Sequence, residues 1–155
     1  MAKDSVHPVE ALRQSTAKPF EQARAMPTEV YTTQAFLDEE LEHVFRKEWY
    51  CVGRATALAD PGDYLTCELA GQPIVVLRDR GGDLRALSNV CLHRMSTLLQ
   101  GRGKASTMVG PYHAWTYDLD GSLRGAPAMT LNEGFCKDAY TLPQVRCEEW
   151  LGWVF

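Results

Sequence analysis

The sequence predicts a mostly β domain, a small antiparallel β-sandwich or barrel with a helix at its N-terminal side. After residue 50, short apolar runs alternate with Gly-rich turns, which is typical of such folds. Before residue 50, one segment has the apolar spacing of a helix. The 155 residues suit a single domain.

Composition and charge exclude several function classes. The apolar fraction is 45%, the charged fraction 23% and the net charge −4, which does not favour nucleic acid as a partner. There is no Lys/Arg block for a membrane surface and no apolar run of roughly 18–20 residues to span one. The first residues lack the apolar segment of a secretory signal, so we expect a cytoplasmic protein. Five cysteines, an odd number, favour free thiols or metal ligands there.

The N-terminal third is predicted to hold an arm and a helix. Residues 1–28 are polar, contain three prolines and show no sustained period, so we expect a partly extended arm. Residues 29–50 are expected to form a helix packed on the domain, with Thr32 or Thr33 as its N-cap. Its apolar stripe comprises Phe36, Leu37, Leu41, Val44, Phe45 and Trp49.

Residues 51–155 are expected to form the β domain. The predicted strands are 63–69, 73–79, 84–90, a hairpin that turns at Asp120-Gly121, and two closing strands within 145–150 and 152–155. The charged turn 78–83 is expected to be solvated. The residues expected in the core include Cys51, Cys67, Trp49, Trp150 and Trp153.

Two short motifs suggest a metal site. Cys91 and His93 form a Cys-x-His pair, and sixteen residues separate it from Gly110-x-x-His113. Each half follows a predicted strand, so the two loops can meet at one centre. Two thiolates on one iron and two imidazoles on the other would make a two-iron cluster. A buried cysteine with two ordinary histidines explains the same residues, and the spacing alone does not decide between these alternatives.

Residues 88–127, "SNVCLHRMSTLLQGRGKASTMVGPYHAWTYDLDGSLRGAP", strongly resemble the cluster-binding region of Rieske proteins. The chain is most similar to the N-terminal domain of Rieske-type non-haem iron (ring-hydroxylating) oxygenase α subunits, and the resemblance extends over residues 28–155. It implies a Rieske (ISP-like) fold with cluster loops at 88–97 and 108–117. Phe155 ends the chain within a strand-forming run, so we expect a fragment whose C-terminal catalytic domain is absent.

The resemblance implies a role for each motif residue. His93 and His113 would bind one iron of a 2Fe-2S cluster, and Cys91 would bind the other together with a second cysteine. Arg94 would lie close to the cluster, Trp115 would pack behind the second loop, and Pro127 would belong to a loop that shields the cluster.

The sequence departs from the family pattern at three positions. Gly110 stands where family members have the second cysteine, and Met95 and Ala114 stand where glycine is common. Loss of a ligand weakens metal binding more than the roughly 10–100-fold cost of losing a supporting partner, so we expect a labile or absent cluster. Cys136 is the best replacement ligand in the chain, although water or a small external thiol is favoured over it.

The resemblance implies an electron-relay domain. Electrons would come from a ferredoxin or reductase and pass to a mononuclear Fe(II) in the missing C-terminal domain, which activates O2. The 155-residue chain alone should not turn over substrate, and the full-length subunit would form an α3-type oligomer. Two alternatives remain: a degenerate Rieske fold that serves as a structural or interaction module, and a mononuclear metal site formed by Cys91, His93 and His113. The N-terminal pattern is similar to members that act on aromatic acids and on quaternary ammonium compounds.

Overall fold

The computed structural model describes residues 6–155, apart from the side chain of Thr130. It contains two compact units, one that ends at Glu48 and one that spans Trp49–Phe155. The first five residues of the predicted arm lie outside the described residues. Within residues 6–155, no helix combines the length and the apolar character that crossing a membrane requires.

The first unit is more helical than the sequence predicted. Its helices are Pro8–Thr16 (α1), Glu29–Thr32 (α2) and Gln34–Glu40 (α3), with a 3-10 turn at Phe20–Gln22. Helix α1 replaces part of the predicted extended arm, and Pro8 begins it at a position where the missing N–H costs nothing. The short segment holds too few apolar residues to show a helical period.

The predicted long helix is shorter in the structure. Thr33 caps α3 by accepting a hydrogen bond from the Phe36 N–H at 3.4 Å, as predicted. A π-helical turn, Leu41–Phe45, then ends the helical run before residue 50. Phe36 is buried, whereas Leu37 and Val44 of the predicted stripe are exposed.

The second unit consists of three antiparallel sheets, which confirms the predicted mostly β class, and the sheets do not form a closed barrel. The strands are β1 (Gly53–Arg54), β2 (Asp63–Leu69), β3 (Gln72–Arg78), β4 (Leu84–Ser88), β5 (Arg102–Lys104), β6 (Met108–Val109), β7 (Thr116–Tyr117), β8 (Leu123–Gly125), β9 (Gln144–Val145), β10 (Glu149–Trp150) and β11 (Trp153–Val154). Their orders are β1-β11-β10, β5-β2-β3-β4-β9 and β6-β7-β8. Short 3-10 helices occur at Ala55–Leu58, Met129–Leu131 and Lys137–Tyr140.

Strand β3 is buried on both faces, which explains its continuous apolar run. Val75 and Leu77 belong to one core cluster together with Cys91 and Tyr117. Ile74 and Val76 point to the opposite face, in a second cluster that includes Val154. The side chains of the metal-site motifs therefore belong to one core, and the β10–β11 hairpin belongs to the other.

Several residues expected in the core lie at the surface. Trp150 is 65% exposed and Trp49 is 44% exposed. Trp153 is half-buried, with the Arg54 guanidinium 3.9 Å above its ring. Cys51 is exposed. The apolar character of these side chains alone does not predict their exposure.

The two predicted turns also differ in detail. Asp79, in the turn expected to be solvated, is only 5% exposed and accepts a 2.6 Å hydrogen bond from Arg85. In the 120–121 hairpin, only Gly121 takes a positive φ, +90°. Asp120 instead accepts hydrogen bonds from the N–H and hydroxyl of Ser122.

Candidate metal centre

The first loop begins at Cys91, shortly after β4. The Cys91 N–H donates to the Ser96 carbonyl at 2.8 Å, and the Cys91 carbonyl accepts from the Met95 N–H at 2.9 Å. Met95 adopts a φ of +55° to close this tight loop. His93 lies in the middle of the loop, and Cys91, 3% exposed, lies at its buried base.

The second loop repeats the same backbone pattern from Gly110. The Gly110 N–H donates to the Trp115 carbonyl at 2.8 Å, and the Gly110 carbonyl accepts from the Ala114 N–H at 3.1 Å. Ala114 has a φ of +55°, the value found at Met95. In the backbone geometry of the two loops, Gly110 is therefore the positional counterpart of Cys91.

A buried asparagine that the sequence analysis missed holds the first loop in place. Asn89 is 2% exposed. Its side-chain amide donates to the Leu99 carbonyl at 2.8 Å, and its side-chain oxygen accepts from the Leu99 N–H at 2.9 Å. These two bonds join the two ends of the loop segment. The sequence did carry a signal for this role, since Asn89 is a polar residue between an apolar strand and the Cys-x-His pair.

The loops bring the two histidines together. The ring centroids of His93 and His113 are 4.5 Å apart, and the rings are nearly perpendicular. His93 also stacks on Trp115, with centroids 4.8 Å apart. Partial desolvation of the His93 ring, followed by repulsion from His113 and Arg94, lowers the pKa of His93. The lowered pKa favours the neutral form of the His93 imidazole, which is the form that binds metals.

Trp115 packs into the aromatic core behind the second loop. It is 3% exposed and contacts Phe135 and Tyr140 edge-on, at centroid distances of 5.6 and 5.2 Å. The stack from Tyr140 through Trp115 to His93 fixes the plane of the imidazole. The position of the histidine pair thus depends on the aromatic core beneath it.

A second residue missed from the sequence, Tyr117, lies on the thiol side. It is fully buried, and its hydroxyl oxygen accepts the Leu92 N–H at 3.0 Å and lies 3.8 Å from the Cys91 Sγ. Burial raises the pKa of the Tyr117 hydroxyl, so it stays protonated. In the sequence alone, Tyr117 looks like an ordinary tyrosine of a strand.

A side chain at position 110 would fit only if the Cys91 side chain moved. A Cβ built on Gly110 would lie 2.8 Å from the Cys91 Sγ. Gly110 is buried, and its φ is not in the positive range that favours glycine. The backbone would therefore accept another residue, and the obstacle is the present orientation of the Cys91 side chain.

The remaining predicted residues lie at the surface. Arg94 is exposed and lines the small cleft between the loops together with Tyr112. Pro127 is exposed. Cys136 is exposed too, and it does not line the cleft. This position gives no support to Cys136 as a replacement ligand.

The residues present fit a Rieske cluster only in part. The adjacent imidazoles suit an iron with two histidine ligands, whereas Cys91 would be the only thiolate for the other iron. Among the residues that the structure describes, no three His, Cys, Asp or Glu side chains gather as they would around one ion. The donor set therefore lacks the fourth ligand of a complete cluster.

Comparison with known proteins identifies the family. The Rieske [2Fe-2S] domain family matches residues 48–142. The chain belongs to this family, as the resemblance predicted. It is 43% identical over 136 residues to the carnitine monooxygenase oxygenase subunit of Escherichia coli (strain K12), which covers 87% of this chain and 36% of that protein. It is 39% identical over 132 residues to the chloroplastic choline monooxygenase of Beta vulgaris, with coverages of 85% and 30%.

Solved structures give the same assignment. A quaternary ammonium Rieske monooxygenase in complex with gamma-butyrobetaine matches with a TM-score of 0.79 and 41% identity, over 83% of this chain and 37% of that one. Naphthalene 1,2-dioxygenase with bound indole matches with a TM-score of 0.78 and 28% identity, over 83% and 30%. The chain thus spans about a third of the length of its relatives and corresponds to the Rieske domain of oxygenase α subunits.

Proposed function

We propose that the chain is the electron-relay domain of an oxygenase α subunit that acts on quaternary ammonium compounds. The observation that carries this proposal is the pair of equivalent loops, which hold His93 and His113 side by side and Cys91 at a buried base. This arrangement presents imidazoles toward the surface, where an electron donor can approach. The buried side is closed by Cys91 and Tyr117.

The substrate class is drawn from the relatives. The carnitine, choline and glycine betaine monooxygenases named among them all act on compounds with a quaternary nitrogen. Naphthalene dioxygenase is less similar, at 28% identity. Of the two classes considered from the sequence, quaternary ammonium compounds are therefore favoured over aromatic acids.

The proposed relay is one part of a larger protein. The chain covers 36% of the carnitine monooxygenase subunit, so a catalytic domain with the mononuclear Fe(II) would lie beyond these 155 residues. A ferredoxin or reductase would supply electrons, and an α3-type assembly would bring the Rieske domain close to a neighbouring iron. In this proposal the 155-residue chain transfers electrons and does not oxidise substrate by itself.

A second candidate is a Rieske fold kept as a structural module without a cluster. Gly110 favours it, because one thiolate is missing and the core closes around Cys91 without it. An external thiol that replaced the missing thiolate would have to reach position 110, which is buried. A site for a single metal ion receives less support, since the three predicted donors do not form a group around one point.

Anaerobic reconstitution with iron and sulfide distinguishes the candidates. Measured in the reconstitution mixture, before gel filtration removes a labile cluster, the relay proposal predicts a coloured protein that dithionite reduces to a paramagnetic state, with a g-value pattern that changes in His93→Ala and His113→Ala. Cys136→Ser is the matched control, because Cys136 is exposed and outside the cleft. A colourless protein that binds no iron under these conditions would support the structural module instead.

A further inference from the structure

Two half-buried thiols, Cys67 and Cys147, lie outside the metal centre. Both are free cysteines of intermediate exposure. Both pack against the core cluster that contains Val154, whereas Cys91 belongs to the cluster on the opposite face of β3. The two thiols therefore share one side of the central sheet, away from the metal loops, and neither has a role in the proposed relay.

Strand pairing and packing bring the two segments that carry these thiols together. Cys67 lies in β2, opposite Ile74 of β3, and the Ile74 side chain packs in the same cluster. Cys147 lies just before β10, whose Glu149 pairs with Arg78, the last residue of β3, at 3.5 Å. The segment that contains Cys147 therefore lies against the sheet that contains Cys67.

The electrostatics of the two thiols agree with this proximity. Burial raises the pKa of Cys67. The pKa of Cys147 is raised to about 11, chiefly by burial, with smaller increases from Glu148 and Cys67 and an opposing effect of Arg78. Because Coulomb interactions weaken with distance, an effect of one thiolate on the other indicates neighbouring groups. Both thiols are protonated at neutral pH, so they react more slowly than exposed thiols do.

We propose that Cys67 and Cys147 form a reversible disulfide with each other when the chain meets a low-molecular-weight disulfide such as oxidised glutathione. One cysteine thiolate attacks a sulfur of the oxidant and releases one thiol, and the second thiolate attacks the resulting mixed disulfide and releases the other. The two cysteine protons end on the two released thiols, and two electrons pass from the cysteines to the oxidant. The new bond ties β2 to the segment that enters β10. It needs no iron, so the inference does not rest on the proposed relay.

The test uses the metal-free 155-residue chain with Cys51→Ser and Cys136→Ser, which remove the two exposed thiols and leave Cys67, Cys91 and Cys147. After incubation with oxidised glutathione and a chelator under nitrogen, we expect the loss of two titratable thiols without bound glutathione. Peptide mass spectrometry should find Cys67 joined to Cys147. On a denaturing gel without reductant, the oxidised chain should migrate faster, and dithiothreitol should reverse the change.

Single variants in the same background identify the partners. Cys67→Ser and Cys147→Ser should each lose the faster-migrating form, and the remaining half-buried cysteine should then keep a bound glutathione. The original chain is the control for the oxidant, because its exposed Cys51 and Cys136 should carry glutathione. The oxidised form should unfold at a higher urea concentration than the reduced form, since the cross-link restricts the unfolded chain.

Three outcomes would overturn the inference. Glutathione bound separately to Cys67 and to Cys147 would show that the two thiols do not reach each other. Unreacted Cys67 and Cys147, under conditions that modify Cys51 and Cys136 of the original chain, would show that the oxidant does not reach the pair. A disulfide from either residue to Cys91 would show that the fold brings a different pair together.

Discussion

A Cβ on residue 110 would lie 2.8 Å from the Sγ of Cys91, so these two positions face each other across the base of the two loops. Their backbones make the same pair of hydrogen bonds, one loop beginning at each. The separation is short enough for two thiolates to share one iron or to react with each other. The protein has the framework of a two-thiolate site with one of its two sulfur atoms missing.

This proximity predicts a disulfide in Gly110→Cys when metal is absent. With the new Cβ so close to the Cys91 Sγ, a modest rotation of either side chain brings the two sulfurs to bonding distance. After aerobic incubation with a chelator, the variant should have two fewer titratable thiols than its reduced form. Gly110→Ser is the control for the added volume. An unchanged thiol count in Gly110→Cys would contradict the geometry.

The two loops should become more stable when glycine replaces the residues with positive φ. Met95 and Ala114 each have a φ of +55°, which glycine adopts without strain. We expect Met95→Gly and Ala114→Gly each to raise the free energy of unfolding by about 1 kcal/mol in urea denaturation. Ala105→Gly, at a position without positive φ, is the control and should lower it. A decrease for all three variants would contradict the argument.

Tyr117→Phe should destabilise the protein through the first loop. The change removes the acceptor of the buried Leu92 N–H and the polar neighbour of Cys91. An unsatisfied buried N–H costs about 1–3 kcal/mol, which urea denaturation can measure. Tyr112→Phe is the matched control, because Tyr112 is 70% exposed and the same change there should be nearly neutral. Equal effects of the two variants would show that the buried bond contributes nothing.

Acid should weaken the fold through Asp79. Burial alone would raise the pKa of this carboxyl, but hydrogen bonds from Arg85 and from the N–H groups of Asp83 and Gly81 outweigh it, and the pKa is lowered. A lowered pKa in the folded state contributes stability above the unfolded pKa, near 4, which is lost as the pH falls through the folded value.

Asp79→Asn should therefore lower the free energy of unfolding by about 2 kcal/mol at neutral pH, and by progressively less below about pH 4. Denaturation measured from pH 7 to pH 3 checks both parts. Asp83→Asn is the control, since that side chain is 76% exposed. A cost that did not depend on pH would contradict the assignment to the Asp79 charge.

The sequence predicted the structural elements that depend on neighbouring residues or on a regular apolar pattern. Strand β2 has the predicted bounds, Asp63–Leu69, because its apolar alternation is complete within the strand. The Thr33 cap was also predictable, because a helix N-cap depends only on residues close to it in the sequence. Cys91, His93 and His113 could be named because their spacing resembles a family motif, and the structure brings the two histidines together.

Contacts between distant segments explain what the sequence did not predict. Tyr117 and Asn89 support the loops through partners that only the folded chain brings near, at Leu92 and Leu99. Trp150 is exposed on the β10–β11 hairpin, which its own apolar character does not predict. Helix α1 has no clear period in its short sequence and depends on contacts with α2 and α3.

The decisive measurement is the iron and acid-labile sulfide content of the original chain and of Gly110→Cys after the same anaerobic reconstitution, with Gly110→Ala as the control for an added side chain without a ligand atom. We predict that Gly110→Cys retains a cluster through gel filtration, while the original chain and Gly110→Ala retain several-fold less, because the missing thiolate is the defect. Equal iron and sulfide in Gly110→Cys and the original chain would contradict the claim that position 110 limits the site.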